Sequence, residues 1–218
     1  MYKFIKVLPE NTCKELVSKL QTSTMWHDGA FSTGSVLKNI KQNKELDICD
    51  LFKEIADIVI PQIMENADIQ NSFLLKKFIT MLISKTNIGG GYGGHFDAPY
   101  FPSIDTNQLT RCDYSFSIFL NDNYTGGNLK IEGKLIKPKT GYICIYPSNC
   151  FHEVTRVKTN ERYAVVGWLE SLIKDHKIRE AIVLLNEAKF ELSKEKNYLT
   201  THYKKLEKAT QLIWTKSL

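Results

Sequence analysis

At 218 residues, with 43% hydrophobic and 24% charged side chains, the chain has the make-up of one globular domain with at most an appendage, which excludes disorder, collagen and coiled-coil arrays. A chain of this length buries about 70% of the surface its unfolded form exposes, so its core needs neither disulfides nor a structural metal. The formal charge of +5 sits mostly in the tail, where residues 174–218 carry ten Lys and Arg against six Asp and Glu; a solvated helix face accounts for that better than a nucleic-acid or acidic-partner surface.

The five cysteines, Cys13, Cys49, Cys112, Cys144 and Cys150, are odd in number and contain no C-x-x-C pair, so they read as buried thiols in a reducing compartment. No signal-peptide pattern and no apolar run of about 18 residues occurs, and a cytoplasmic location is expected.

In chain order, Thr12 and Glu15 have capping-box spacing, and Leu16, Val17 and Leu20 make an apolar face, predicting a helix over 10–21. Leu51, Phe52, Ile55, Ile58 and Val59 predict a second helix over 46–65, kinked or cut at Pro61. From Phe73 the pattern becomes short β-rich runs at 73–84, 113–120, 128–131, 142–146, 153–157 and 163–169, separated by Gly, Pro, Asn and Asp. Strands at this spacing with no helices between them indicate an antiparallel sandwich or jelly roll. After Glu170 helical spacing returns at Ile178, Ile182, Leu185 and Ala188, with a second segment ending at Ile213-Trp214. The expected class is α+β. Residues 1–72 form a helical support, residues 73–172 a double-stranded β-helix core, and residues 173–218 a C-terminal helical hairpin.

His95 and Asp97 are two apart, and on an extended chain such residues project from the same face about 7 Å apart. His152, at the start of a later β run, supplies a third donor. Two histidines and one carboxylate make the facial triad of non-haem Fe(II) oxygenases, which leaves positions on the metal open. Arg162 follows His152 by ten residues, and its fixed fork suits a carboxylate, such as the far end of a 2-oxoacid chelating the iron.

These residues lie in a run that resembles a known family: Tyr92-Gly93-Gly94-His95-Phe96-Asp97, Arg111-Cys112-Asp113-Tyr114-Ser115, Phe119-Leu120-Asn121-Asp122, Tyr124-Thr125-Gly126-Gly127-Asn128-Leu129, Gly141, Tyr146-Pro147-Ser148, His152-Glu153-Val154, Arg162-Tyr163-Ala164 and Trp168-Leu169-Glu170-Ser171. The run is similar to the Fe(II)/2-oxoglutarate dioxygenases of the prolyl 4-hydroxylase superfamily, and most of all to the bacterial PKHD-type hydroxylases. The likeness reaches outward to Trp26, Asp28-Gly29, Lys38-Asn39, Asn43 and a two-helix tail ending near Trp214. It implies that His95, Asp97 and His152 ligate Fe(2+), that Arg162 binds the co-substrate 2-oxoglutarate, and that L-ascorbate is a further cofactor. It implies hydroxylation of an unactivated C–H bond coupled to decarboxylation of 2-oxoglutarate to succinate, with a prolyl residue of a peptide or protein as substrate. Because related halogenases lack the carboxylate, Asp97 favours hydroxylation over halogenation. Thr86 and Asn128 depart from the pattern, standing where an aromatic hydroxyl and an acid are usual.

Other readings stay open on sequence. Ser115 and Ser117 either line the co-substrate pocket or face solvent. Gly89-Gly90-Gly91 makes either a mobile or tightly turned approach to the metal strand or a plain hairpin. Residues 98–110, with Pro99, Tyr100, Phe101 and Pro102, are expected to cover the substrate. His27, His176 and His202 have no partner at ligand spacing, and a zinc site at Cys144 and Cys150 lacks a second pair. The alternatives to a hydroxylase are a nucleic-acid oxidative dealkylase of the same fold, suggested by the Arg156 to Arg162 spacing, and a jelly-roll binding module without catalysis. A duplex-binding groove fits poorly with charge confined to the tail. No membrane partner is expected; the helical tail suits packing on its own barrel or on a second copy in a homo-oligomer.

Overall fold

The computed structural model describes residues 2–102, 109–194 and 200–217, and the chain divides into two compact units. One comprises Met1–Ile63 with Phe78–Glu170, the other Met64–Lys77 with Ser171–Leu218.

The first unit begins with β1 (Lys3–Lys6), α1 (Glu10–Thr22), β2 (Trp26–Asp28), β3 (Lys41–Gln42), β4 (Lys44–Leu46) and α2 (Asp50–Met64). Helix α1 starts at Glu10 as expected, but not through the Thr12–Glu15 spacing: Pro9 is the N-cap without a side-chain cap, its carbonyl accepts from Cys13 N, and Glu10 places a carboxylate at the positive helix end. Thr12 therefore lies inside the first turn and the capping box does not form. Pro61 neither cuts α2 nor ends it at once. The helix loses one amide donor near its C-terminal end, while Ile55, Val59 and Ile63 keep a fully buried stripe through the site. Leu46 belongs to β4 rather than to this helix.

Short strands β1 to β4 were not legible as strands because each is only two to four residues long. Tertiary pairing, rather than propensity, makes them strands.

The later strands are β5 (Leu75–Thr86), β6 (Gly91–His95), β7 (Tyr100–Pro102), β8 (Leu109–Arg111), β9 (Tyr114–Phe119), β10 (Thr125–Gly126), β11 (Leu129–Ile131), β12 (Lys134–Ile136), β13 (Tyr142–Pro147), β14 (His152–Val154), β15 (Val157–Thr159) and β16 (Arg162–Ser171). Seven strands form one sheet in the order β1-β13-β9-β16-β5-β4-β2, and five form a second in the order β12-β11-β14-β6-β3. Neighbours such as β9 and β13, β9 and β16, and β6 and β14 are antiparallel, so the expected jelly roll is present. Every residue of β9 is buried, which removes the solvent-facing reading of Ser115 and Ser117. The Gly89 to Gly91 segment is a tight turn. Gly89 adopts φ +84°, its N–H donates to Val157 O, and Gly90 O accepts from Val157 N. Strands β7 and β8 pair as a two-stranded ribbon; residues 103–108 of the expected substrate-covering loop lie outside the described residues.

The second unit contains α3 (Ala67–Phe73), α4 (His176–Ser193) and α5 (Thr201–Ser217). Sequence reading began a strand at Phe73, but α3 occupies that position. Asn66 caps it by accepting from Ile69 N, Ile69 and Phe73 are buried four apart, and Leu74 closes it at φ 50°. Leu74, Ile173 and Ile182 make a small core with Ile178, Val183, Ile213 and Trp214 against it, and Lys189 pairs with Glu207 at 2.8 Å between α4 and α5. Ala188, expected on the apolar face, is exposed. Among the described residues no helix is long and apolar enough to cross a membrane.

All five cysteines are free; Cys13, Cys112 and Cys144 are buried, Cys49 and Cys150 half-buried. Burial pushes the Cys13 thiol up to about 11 and those of Cys112 and Cys144 up to about 12, so thiolate is scarce there at neutral pH. A thiol-reagent titration at pH 8 should find at most two fast-reacting thiols in the native chain and five after denaturation. Rapid reaction of three or more would contradict the packing around Cys13, Cys112 and Cys144.

Candidate active site

The ligand strand β6 is Gly91-Tyr92-Gly93-Gly94-His95, and it runs between β3 and β14. Its glycines fit the crowding around it: a Cβ at Gly94 would lie 2.2 Å from Phe151 Cζ, and one at Gly91 2.8 Å from Val154 O. With these positions empty, β14 comes close enough for His152 to stand opposite His95 in register. The two imidazole centroids are 4.3 Å apart.

Both rings are oriented by the backbone. His95 Nδ1 lies 2.8 Å from Gly93 O, and His152 Nδ1 3.0 Å from Cys150 O. A carbonyl only accepts, so each Nδ1 carries a proton and each neutral ring presents its lone pair at Nε2. Burial lowers the His152 pKa below its ordinary value, although Asp97 pulls it up. Its neutral, ligand-competent form is thereby favoured.

Asp97 lies just beyond β6 and faces both rings, with Oδ1 3.7 Å from His95 Nε2 and Oδ2 3.6 Å from His152 Nε2. Ser115 Oγ donates to Asp97 Oδ2 at 2.5 Å. Burial alone would raise the Asp97 carboxyl, but its interactions with His95, His152 and Ser115 together hold it below the usual carboxylate range. The site thus presents two imidazole lone pairs and an ionised carboxylate within 4.8 Å of one another, the only such group among the described residues. That donor set and its burial fit a divalent iron with one side left open.

The trio lines a cavity of about 70 Å³ that also receives Thr86, Ser117, Tyr146, Trp168 and Arg162. Arg162, at the start of β16, is 1% exposed, and its Nε and Nη2 have no hydrogen-bond partner. A guanidinium left in this condition is costly, and a carboxylate entering the cavity would satisfy it. Tyr124, whose hydroxyl is also buried without a partner, packs with the Arg162 stem over Gly127. Tyr146 sets its ring edge-on to His152 at 5.0 Å.

Structure therefore gathers His95, Asp97, His152 and Arg162 around one cavity. Thr86 is buried in its wall, as are Ser115 and Ser117. Arg156 is elsewhere, its Nη1 donating to Gly89 O at 2.8 Å, and Asn128 bonds Thr155 from its backbone. His27 lies 2.7 Å from Asp47, while His176 and His202 are exposed. Sequence reading missed Lys41 and Glu45, a buried ion pair in the cavity wall. Their i,i+4 spacing looks like a helix-surface pair, and only β3 and β4 turn it inward. Phe101 packs against Trp168 with ring centroids 4.6 Å apart and planes tilted by 35°, bringing the β7–β8 ribbon to a residue of the cavity wall.

Comparison with known proteins agrees with this geometry. A model of the 2OG-Fe(II) oxygenase superfamily matches residues 81–170. A PKHD-type hydroxylase of Prochlorococcus marinus (strain NATL1A) is 35% identical over 79% of this chain and 79% of its own length; one from Hyphomonas neptunium is 30% identical over 78% and 77%. Among solved structures, a Pseudomonas putida prolyl-4-hydroxylase aligns with TM-score 0.53 at 17% identity, covering 78% of this chain and 92% of that one. A Trichoplax adhaerens prolyl hydroxylase in complex with a hypoxia inducible factor oxygen degradation domain peptide fragment aligns with TM-score 0.55 at 20% identity, covering 77% and 82%. These two show the shared fold. The chain belongs to the PKHD-type hydroxylases of the 2OG-Fe(II) oxygenase superfamily, an enzyme class that uses Fe(II), 2-oxoglutarate and dioxygen.

Ser115 is the one side chain bonded to Asp97 from the opposite sheet. Replacing it, Ser115→Ala, should weaken divalent-metal binding about tenfold with the fold intact. Calorimetric titration with Mn(II) checks this, and unchanged affinity would show that Asp97 is held by other means.

Proposed function

We propose that His95, Asp97 and His152 hold Fe(II), that Arg162 receives the far carboxylate of 2-oxoglutarate, and that the enzyme hydroxylates an unactivated C–H bond of a prolyl residue in a peptide or protein. The observation that carries this reading is the buried Arg162 guanidinium, with two N–H groups unpartnered, in the wall of the cavity that the His-Asp-His trio lines. Fe(II) bound there supplies, with dioxygen and the decarboxylation of 2-oxoglutarate to succinate, the oxidising power for the reaction.

The protein's own contribution is orientation and exclusion. The Gly93 and Cys150 carbonyls fix the tautomer of each histidine, and Ser115 fixes the rotamer of Asp97, so the donors meet a metal without rearrangement. All three donors approach from one side, leaving the cavity side for the co-substrate. Arg162 supplies the opposite charge in a dry wall, where a bidentate carboxylate contact is strongest. The buried Tyr146 and the half-buried Trp168 keep water from the reacting positions. A prolyl peptide substrate is supported by the PKHD-type relatives and by the peptide held in the Trichoplax structure. L-ascorbate enters this reading from family resemblance alone, and succinate release measured with and without it tests that part.

Purified protein supplied with Fe(II), 2-oxoglutarate and a panel of proline-containing peptides, free amino acids and alkylated oligonucleotides should release succinate and yield a hydroxylated prolyl product. Formaldehyde from the oligonucleotides instead would make it a nucleic-acid dealkylase, and no succinate under any condition would end the enzyme reading. Asp97→Ala should abolish turnover. Arg162→Ala should weaken 2-oxoglutarate binding roughly 100-fold, read as a binding constant, and wild-type affinity in that variant would refute the assignment of Arg162.

A further inference from the structure

Lys41 and Glu45 are buried at 7% and 1% exposure, with Nζ 2.5 Å from Oε1. Such a pair is weak support for a fold, because desolvating two charges offsets most of their attraction. Its place in the structure gives it another use. Strand β3 pairs with β6 so that Lys41 faces Tyr92 across the ladder, and the ammonium lies 5.2 Å from the Tyr92 ring centroid. Lys41 also donates to Ser32 Oγ at 2.7 Å. On its other bond, the Tyr92 hydroxyl lies 3.3 Å from Thr33 Oγ1. The Tyr92 ring stacks on the imidazole of His95, centroids 3.7 Å apart at 22°.

We propose that the Lys41–Glu45 pair is a positioning device for the metal ligand His95, acting through the Tyr92 ring. The inference rests on the reading of His95 as an iron ligand. The Gly93 carbonyl fixes one ring nitrogen but leaves the plane of the imidazole free to tilt, and a stacked ring stops that tilt only if it is itself held. Thr33 holds the edge of Tyr92, and Lys41 holds its face through a cation–π contact strengthened by burial. Glu45 holds the ammonium in place through their ion pair. Lys41, Glu45 and Tyr92 are positioning residues and touch no reacting atom in this scheme.

Co(II) titration followed by visible absorption reads the metal environment without turnover. The double variant Lys41→Gln with Glu45→Gln removes both charges while keeping chain length. It should fold as the wild type does by circular dichroism, bind Co(II) about tenfold more weakly and show an altered ligand-field envelope. Lys41→Arg, which still offers a cation to the ring, should restore the affinity and most of the spectrum. Wild-type affinity and spectrum in the double variant would overturn the inference. Should that variant fail to fold, Tyr92→Leu and Tyr92→Phe decide: loss of affinity in the first and retention in the second support the device, and equal binding in both overturns it. A wild-type chain that took up no Co(II) would overturn the metal centre itself, and this inference with it.

Discussion

The antiparallel pairing of β6 with β14 is the constraint from which the site follows. It sets His95 and His152 opposite one another, and a slip of one residue would send each imidazole to the other face of the sheet. Glycines at 91, 93 and 94 let neighbouring backbone and side chains close onto the strand. The β11–β14 pairing, with Ile131 opposite His152, carries the same register further into the sheet. Asp97 then needs only the two-residue step past His95 to meet both rings.

A jelly roll suits this arrangement because its two sheets can divide the work. The five-stranded sheet brings both histidines, while the seven-stranded sheet supplies Ser115 from β9 and Arg162 from β16. Both of the latter are buried, and both are polar groups that an ordinary sheet interior would exclude. Ser115 is satisfied by Asp97. Arg162 keeps Nε and Nη2 without a partner among the described residues, so one of these two polar groups is used up within the fold and the other is not. The two sheets thus frame a cavity whose wall mixes apolar side chains with charged groups at Asp97, Arg162 and the Lys41–Glu45 pair.

Much of this was legible in the sequence, and the parts that were not share a physical cause. The order of histidine, carboxylate, histidine and arginine survives in one dimension because those residue types at that spacing fit one chemistry, although β6, rich in glycine, shows no alternation and was not among the expected strands. Helix α1 was placed correctly over 10–21, but its cap was not, since a proline cap has no side-chain signature. Helix α3 was not predicted and only its last residue, Phe73, was read into the following strand, because seven residues with two buried positions show no clear period. Strands β1 to β4 have too few residues to show any period, so Lys41 and Glu45, which they turn into the cavity wall, were invisible. Ser115 and Ser117 were ambiguous for a related reason: alternation tells that two faces differ, but not which of them meets water.

One feature of the ligand strands separates what they do from what they display. Phe96 sits between His95 and Asp97 and is 57% exposed; Phe151 directly precedes His152 and is 44% exposed. The two rings meet edge to face, 5.3 Å between centroids, and Phe151 covers Gly94, where no side chain competes for the space. His95, Asp97 and His152 thus each have an outward aromatic neighbour one peptide bond away, and the pair forms a clasp on the outer surface. The clasp screens the outer face of both strands with side chains that contribute no polar atom to the cavity, so apolar burial outside and polar convergence inside are supplied by neighbouring residues of the same strands.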